Sequence, residues 1–145
     1  MSEASLSLQV EARHDLSPDE VDALEDRLYD HNSTATGRAD AQGIGFVIRD
    51  GDGRLVGAAA GYTWAGTSEL KQMWVDAAHR GHGYARDLLD AFITEAARRG
   101  VRRIWVQSHD FQAPALYEKV GFVRMAEFEG WPDGHTNVIL CKTLA

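Results

Sequence analysis

Leu70-Lys71-Gln72-Met73-Trp74-Val75-Asp76-Ala77-Ala78-His79-Arg80-Gly81-His82-Gly83-Tyr84-Ala85 joins an apolar stretch to a glycine turn and the turn to a helical pattern. Leu88, Leu89, Phe92, Ile93, Ala96 and Ala97 fall on one stripe that stops before Gly100, behind Arg98 and Arg99. The spacing predicts a helix of about 18 residues, roughly 27 Å, the longest in the chain. Val101 to Val106 is then apolar enough for a buried strand. Strand, helix and strand across residues 70–106 imply a right-handed parallel crossover.

The turn itself carries chemistry. Gly81 and Gly83 let the main chain approach a ligand with no Cβ in the way. The first amides of the following helix are unpaired and lie at the positive end of its dipole, which suits a diphosphate. Tight strand-to-helix turns also need glycine for steric reasons, so the turn alone leaves both readings open. A P-loop spacing is missing, and a dinucleotide fingerprint fails at Arg86, where a third small residue belongs.

Toward the N-terminus, Leu6, Leu8, Val10 and Ala12 alternate with polar residues and predict a half-buried strand. Ser17-Pro18-Asp19-Glu20 supplies an N-cap, a proline at the first helical position and a capping-box acid, opening a helix with Val21, Leu24 and Leu28. Residues 32–43, small, polar and irregular, read as loop with room for one helical turn. Residues 44–48 and 55–64 form a hairpin around Asp50-Gly51-Asp52-Gly53, and Leu70 to Val75 is a third strand of this meander. Toward the C-terminus, residues 113–120 form a short helix stopped by Gly121. Two last strands, 123–128 and 136–142, flank Trp131-Pro132-Asp133-Gly134. The order predicts a single α+β domain, residues 1–145, around a mixed sheet.

Apolar types make up 44% and charged types 26%, which excludes disorder and a disulfide-stapled miniprotein. The lone Cys141 cannot form an internal disulfide or a Cys-based zinc cage and reads as a buried small apolar residue, so a reducing, cytoplasmic setting is expected. Residues 1–12 lack the basic and apolar regions of a secretory leader, and no stretch reaches membrane-span length. The net charge is −7; residues 1–50 hold 11 Asp/Glu against 4 Arg, while residues 51–145 hold 11 acids and 11 bases. That balance argues against a nucleic-acid partner, and the acidic third reads as a solvated face or as an approach for cationic molecules. His79, His82, His109 and His135, with Asp133, match no metal-ligand spacing, and no metal is expected. Arg98, Arg99, Arg102 and Arg103 suit a solvated helix C-terminus. Trp105 belongs to a buried strand; Trp131 reads as acceptor-pocket wall, dimer contact or simple packing.

Arg80, Gly83 and Ala85 fit the pattern Arg/Gln-x-x-Gly-x-Gly/Ala. About 30 residues later, Ala115-Leu116-Tyr117-Glu118-Lys119-Val120-Gly121-Phe122 resembles a Leu-Tyr-x-x-x-Gly-Phe signature. With both motifs at this spacing, the chain resembles the GNAT superfamily of N-acetyltransferases over essentially its whole length, and Phe111-Gln112-Ala113 is similar to one subgroup of small bacterial members. The resemblance implies the GNAT fold, a mixed central sheet of about seven strands with flanking helices and a splayed parallel pair at its centre.

The resemblance further implies an enzyme that moves the acetyl group of acetyl-CoA to a primary amine by direct attack. Acetyl-CoA would lie where the parallel strands part, after Val75 and near Ser108. Met73, Trp74 and Val75 would offer main-chain groups to the pantetheine, with their side chains also explicable as packing. Arg80, Gly81, His82, Gly83, Tyr84 and Ala85 would cradle the diphosphate. Tyr117 matches the family's general acid, donating to the leaving sulfur. A reference phenol near 10 and thiol near 8.5 make full transfer uphill by roughly 2 kcal/mol, so hydrogen bonding counts as much as protonation. An attacking alkylamine must first lose a proton; Glu69 resembles in position the carboxylate some members use, with His109 and Asp110 as rivals. Many members carry Asn where Asp110 stands, and Asp lacks the amide donor for the pantetheine.

The acidic N-terminal third points to a small cationic acceptor. A protein N-terminus or lysine as acceptor, and a non-catalytic acyl-CoA sensor, are the alternatives. The partners expected are a small-molecule amine, no nucleic acid and no membrane; the resemblance is compatible with a homodimer.

Overall fold

The computed structural model describes residues 7–144. The chain divides into two compact units, one running to Gly37 and one from Arg38.

In the first unit, residues 7–12 form no strand, and Leu8 and Val10 are exposed. The expected first strand is therefore corrected; Leu6 lies outside the described residues. Alternation shows only that a segment suits a sheet face, whereas a strand exists once its amides and carbonyls join a ladder. Helix α1 (Pro18–Thr36) starts at the predicted place: Ser17 Oγ accepts the Glu20 N–H at 3.2 Å, and Glu20 Oε1 accepts the Ser17 N–H at 3.3 Å. It continues through residues 32–36, the start of the segment predicted as loop with room for one helical turn. The Thr36 hydroxyl donates to the Asn32 carbonyl at 2.6 Å, and the turn closes on Gly37 at φ 68°, a left-handed cap that glycine adopts freely. At 19 residues it is longer than the crossover helix at 15, so the longest helix is the first, not the second.

The second unit is built on six strands: β1 (Gln42–Arg49), β2 (Leu55–Trp64), β3 (Thr67–Val75), β4 (Arg103–His109), β5 (Val123–Glu129) and β6 (Thr136–Thr143). Their spatial order is β1-β2-β3-β4-β6-β5, antiparallel throughout except for the central parallel pair β3–β4. This is the mixed sheet with a parallel centre that the sequence predicts, with six strands among the described residues rather than seven. The hairpin turn is tied by Asp50 Oδ1, which accepts the N–H groups of Asp52 and Arg54.

A 3-10 turn (Ala77–His79) and helix α2 (Tyr84–Arg98) link β3 to β4, and helix α3 (Pro114–Lys119) follows β4. Leu88, Leu89, Phe92 and Ala96 of α2 are buried and form the core with Leu70, Ile104, Val106, Val138 and Leu140. Each large apolar side chain there contributes about 1.5–3 kcal/mol by leaving water. Trp105 and Cys141 are half-buried rather than fully buried, because they are cross-strand partners on the sheet face opposite that core.

Two features of β3 position the site. It pairs with β4 only from Thr67↔Arg103 to Leu70↔Val106, although β3 runs on to Val75 and β4 to His109. Each continues against its outer partner, Val75 opposite Gly57 of β2 and His109 opposite Asn137 of β6, so the two strands part. At the parting point the β2–β3 register slips: Ala60 opposes Gln72 and Gly61 opposes Leu70, leaving Lys71 without an opposite residue, a β-bulge. Gly61 permits the slip, since a Cβ there would overlap the Glu69 carbonyl.

Gly61→Ala should therefore destabilise the protein by about 1–3 kcal/mol or more in urea unfolding. Gly43→Ala in β1, where a Cβ meets nothing within 4 Å, should stay within about 0.5 kcal/mol of the parent.

Candidate active site

Where β3 and β4 part, a cleft of about 500 Å³ opens. One wall is Leu70, Lys71, Met73, Trp74 and Val75 of β3. The other is Val106, Gln107 and Ser108 of β4 with Phe111, Gln112, Ala113, Leu116 and Tyr117 beyond it. Arg80 and Ala85 close one end. The lining holds two cations, Lys71 and Arg80, and no carboxylate, so it favours an anionic occupant.

The turn at the Arg80 end is held from both sides. Asp76 Oδ2 accepts the Ala78 N–H at 3.2 Å and contacts His79 Nδ1 at 3.0 Å; these bonds, the His79 one foremost, hold the Asp76 carboxyl below the usual carboxylate range. Arg80 Nε donates to the Val75 carbonyl at 3.0 Å, which fixes the guanidinium at the cleft and uses up one of the main-chain groups the sequence reading assigned to pantetheine. Gly81 and Gly83 adopt φ of 80° and 85°, open to glycine and strained for other residues. Gly83 is the N-cap of α2 and the first helical bond is Asp87 N–H to the Gly83 carbonyl. No amide from Gly81 to Arg86 has an acceptor among the described residues. A run of unpaired N–H groups at a helix start is the chemistry that receives a phosphate.

The opposite wall is stitched to the end of β4. Ser108 Oγ, buried, accepts the Ala113 N–H at 3.3 Å, and Gln112 Oε1 accepts the His109 N–H at 2.7 Å. These bonds lead the chain into α3, whose Tyr117 is 4% exposed and packs edge-on against Phe122 with ring centroids 5.5 Å apart. The Tyr117 hydroxyl has no hydrogen-bond partner among the described residues. Burial pushes its phenol up to about 12.

Of the residues singled out in the sequence, Met73, Trp74, Val75, Arg80, Ala85 and Tyr117 line one cleft, while Gly81, His82, Gly83 and Tyr84 follow Arg80 without lining it. Glu69 also lies outside the lining. It is a cross-strand partner of both Tyr62 and Trp105, so the three share one sheet face, and it makes no ion pair among the described residues. Asp110 turns away: partial burial alone would raise its carboxyl, but the Thr136 N–H at 3.0 Å and His135 Nδ1 at 2.9 Å hold it below the usual range. His109 stacks on Phe111 and meets Trp131 edge-on, with its Nδ1 buried and unpartnered. Lys71, Gln107, Phe111 and Gln112 were not singled out for the cleft. The bulge that delivers Lys71 depends on Gly61, ten residues away, and leaves no local signal. Among the described residues no three His, Cys, Asp or Glu side chains group as metal ligands, and no helix is long and apolar enough to cross a membrane.

The family model described as acetyltransferase (GNAT) family matches residues 8–122. An acetyltransferase of Agrobacterium fabrum is 29% identical over 103 residues, 71% of this chain and 75% of that protein. The blasticidin-S acetyltransferase of Streptomyces morookaense is 32% identical over 93 residues, 63% of this chain and 68% of that protein. The crystal structure of an acetyltransferase from Bacillus cereus superposes with a TM-score of 0.78 at 23% identity, covering 92% of this chain and 98% of that one, which shows the same fold.

A phenol raised to about 12 should appear as a late ionisation in an alkaline absorbance titration, lost in Tyr117→Phe. The unfolded phenol releases its proton near 10. The Tyr117 contribution to stability is therefore complete below pH 10 and falls as pH rises toward 12. A Tyr117 step centred near 10 would contradict the burial.

Proposed function

This chain belongs to the acetyltransferase (GNAT) family, and we propose that it moves the acetyl group of acetyl-CoA directly to a primary amine of a small, cationic molecule. The observation that carries this reading is the cleft between the parted strands, with unpaired amides at one end and a buried, unpartnered phenol in its wall. The free amides of Gly81 to Arg86 and the guanidinium of Arg80 would hold the diphosphate. The pantetheine would run along Met73 and Trp74, whose main chain has lost its β4 partner.

Tyr117 faces the sulfur in this arrangement. With its phenol near 12 against a thiol near 8.5, complete proton transfer is uphill by roughly 5 kcal/mol. Tyr117 therefore acts chiefly by donating a strong hydrogen bond to the leaving thiolate from a site with little water. The acceptor approaches the face that carries Glu69 between Tyr62 and Trp105, where an unpaired carboxylate and two rings suit an ammonium and Glu69 takes its proton. The acidic N-terminal third and a relative named for blasticidin-S support a small cationic acceptor. The family match crosses the boundary between the two units, which supports residues 1–145 acting as one catalytic domain.

Purified protein, acetyl-CoA and a panel of polyamines, aminosugars and peptides should release free thiol only when the right amine is present. Tyr117→Phe should lower kcat about a hundredfold. Gly83→Asp puts an anion on the diphosphate site and should weaken CoA binding about tenfold or more by calorimetry. Tight CoA binding with no thiol release for any amine would replace the enzyme by a sensor; a peptide outpacing every small amine would move the acceptor to proteins.

A further inference from the structure

We propose that Lys71 is a self-acetylation site: in the absence of acceptor, its side-chain amine takes the acetyl group from the acyl thioester held in the same cleft. This rests on the transferase reading above.

Three observations place it. Lys71 follows Leu70, the last β3 residue paired with β4, and lines the cleft together with Tyr117, so it stands where the two strands begin to part. The bulge exempts it from the β2–β3 register. Its ammonium lies over the Tyr62 ring, 5.8 Å from the centroid, and forms no ion pair among the described residues. Tyr62 is the cross-strand partner of Glu69, so ring and carboxylate share one face. The requirements for an acceptor amine, a ring that attracts a cation and a carboxylate on the same face to take a proton, are therefore met around a lysine of the chain itself.

The step balances as ordinary transfer. The Lys71 ammonium gives one proton to Glu69 and its Nζ attacks the thioester carbonyl carbon. The C–N bond forms, the C–S bond breaks, and the departing sulfur ends as a thiol with the second Nζ proton, Tyr117 having stabilised it. The product is an uncharged amide in the cleft wall.

The chain contains three lysines, which provides an internal control. Lys119 is exposed on α3 outside the cleft, and Lys142 Nζ donates to the Val120 carbonyl at 2.7 Å. The test is incubation of the full chain with acetyl-CoA alone, followed by intact-mass and peptide mass spectrometry. Lys71 should gain one acetyl group at least about ten times faster than Lys119, at a rate independent of protein concentration. Tyr117→Phe should slow it, and Lys71→Arg, with its fold checked by circular dichroism, should lose it. Equal labelling of Lys71 and Lys119 would mean unassisted chemical acetylation and overturn the proposal, as would a rate proportional to protein concentration. Amine-dependent thiol release with Lys71 unmodified would overturn it and leave the transferase reading intact. Neither labelling nor thiol release would overturn both.

Discussion

Two parallel strands that stop pairing while both remain anchored on their far sides set the conditions for everything else in this protein. β3 and β4 share four register pairs, and then each follows its outer neighbour. Main-chain groups stripped of a sheet partner must find another or face solvent, because an unpaired buried amide or carbonyl costs as much as a lost hydrogen bond. A gap of this kind inside a sheet is costly unless something polar and extended fills it. A pantetheine arm, with amides of its own, meets that description.

The gap is stabilised by its surroundings. The bulge at Lys71 bends β3 at the parting point, and Gly61 makes room for it by having no side chain. Below the sheet, α2 buries Leu88, Leu89, Phe92 and Ala96 against the core residues around the pairing region. Its buried stripe fixes the direction of the helix axis, so the helix start comes to the cleft end. Packing energy on one face thus aims a set of unpaired amides on another, and Arg80, tied to the Val75 carbonyl, joins strand and turn at that end.

Charge is divided between the cleft lining and the sheet face that carries Glu69. The cleft lining holds Lys71 and Arg80 and no carboxylate, while Glu69 stands outside it on the face shared with Tyr62 and Trp105; in the proposed transfer the first would receive the anionic donor and the second the cationic acceptor. Neither Lys71 nor Glu69 forms an ion pair among the described residues, although the Lys71 ammonium lies over the Tyr62 ring on the face that Glu69 shares. Tyr117 lines the cleft, and deep burial keeps its phenol neutral and able to donate well above neutral pH.

Local chemistry made much of this legible in one dimension. The capping box at Ser17–Glu20, the Asp50–Gly53 turn, the stripe of α2 and the glycine turn before it are all short-range patterns, and the sequence by itself determined them because caps, turns and periodicity act within a few residues. The tyrosine in its Leu-Tyr-x-x-x-Gly-Phe setting was legible in another way, through resemblance to a family signature. Alternation misled over residues 7–12, and residues 32–36 stayed helical despite their polar character, because ladder partners and helix ends are settled by context. Only the tertiary structure decided that Lys71 bulges into the cleft, that Asp110 is spent on Thr136 and His135, and that Glu69 sits between two rings outside the lining. The first and last depend on the register between strands, where a slip of one residue moves a side chain to the other face of the sheet, and the Asp110 bonds depend on contacts 25 and 26 residues along the chain.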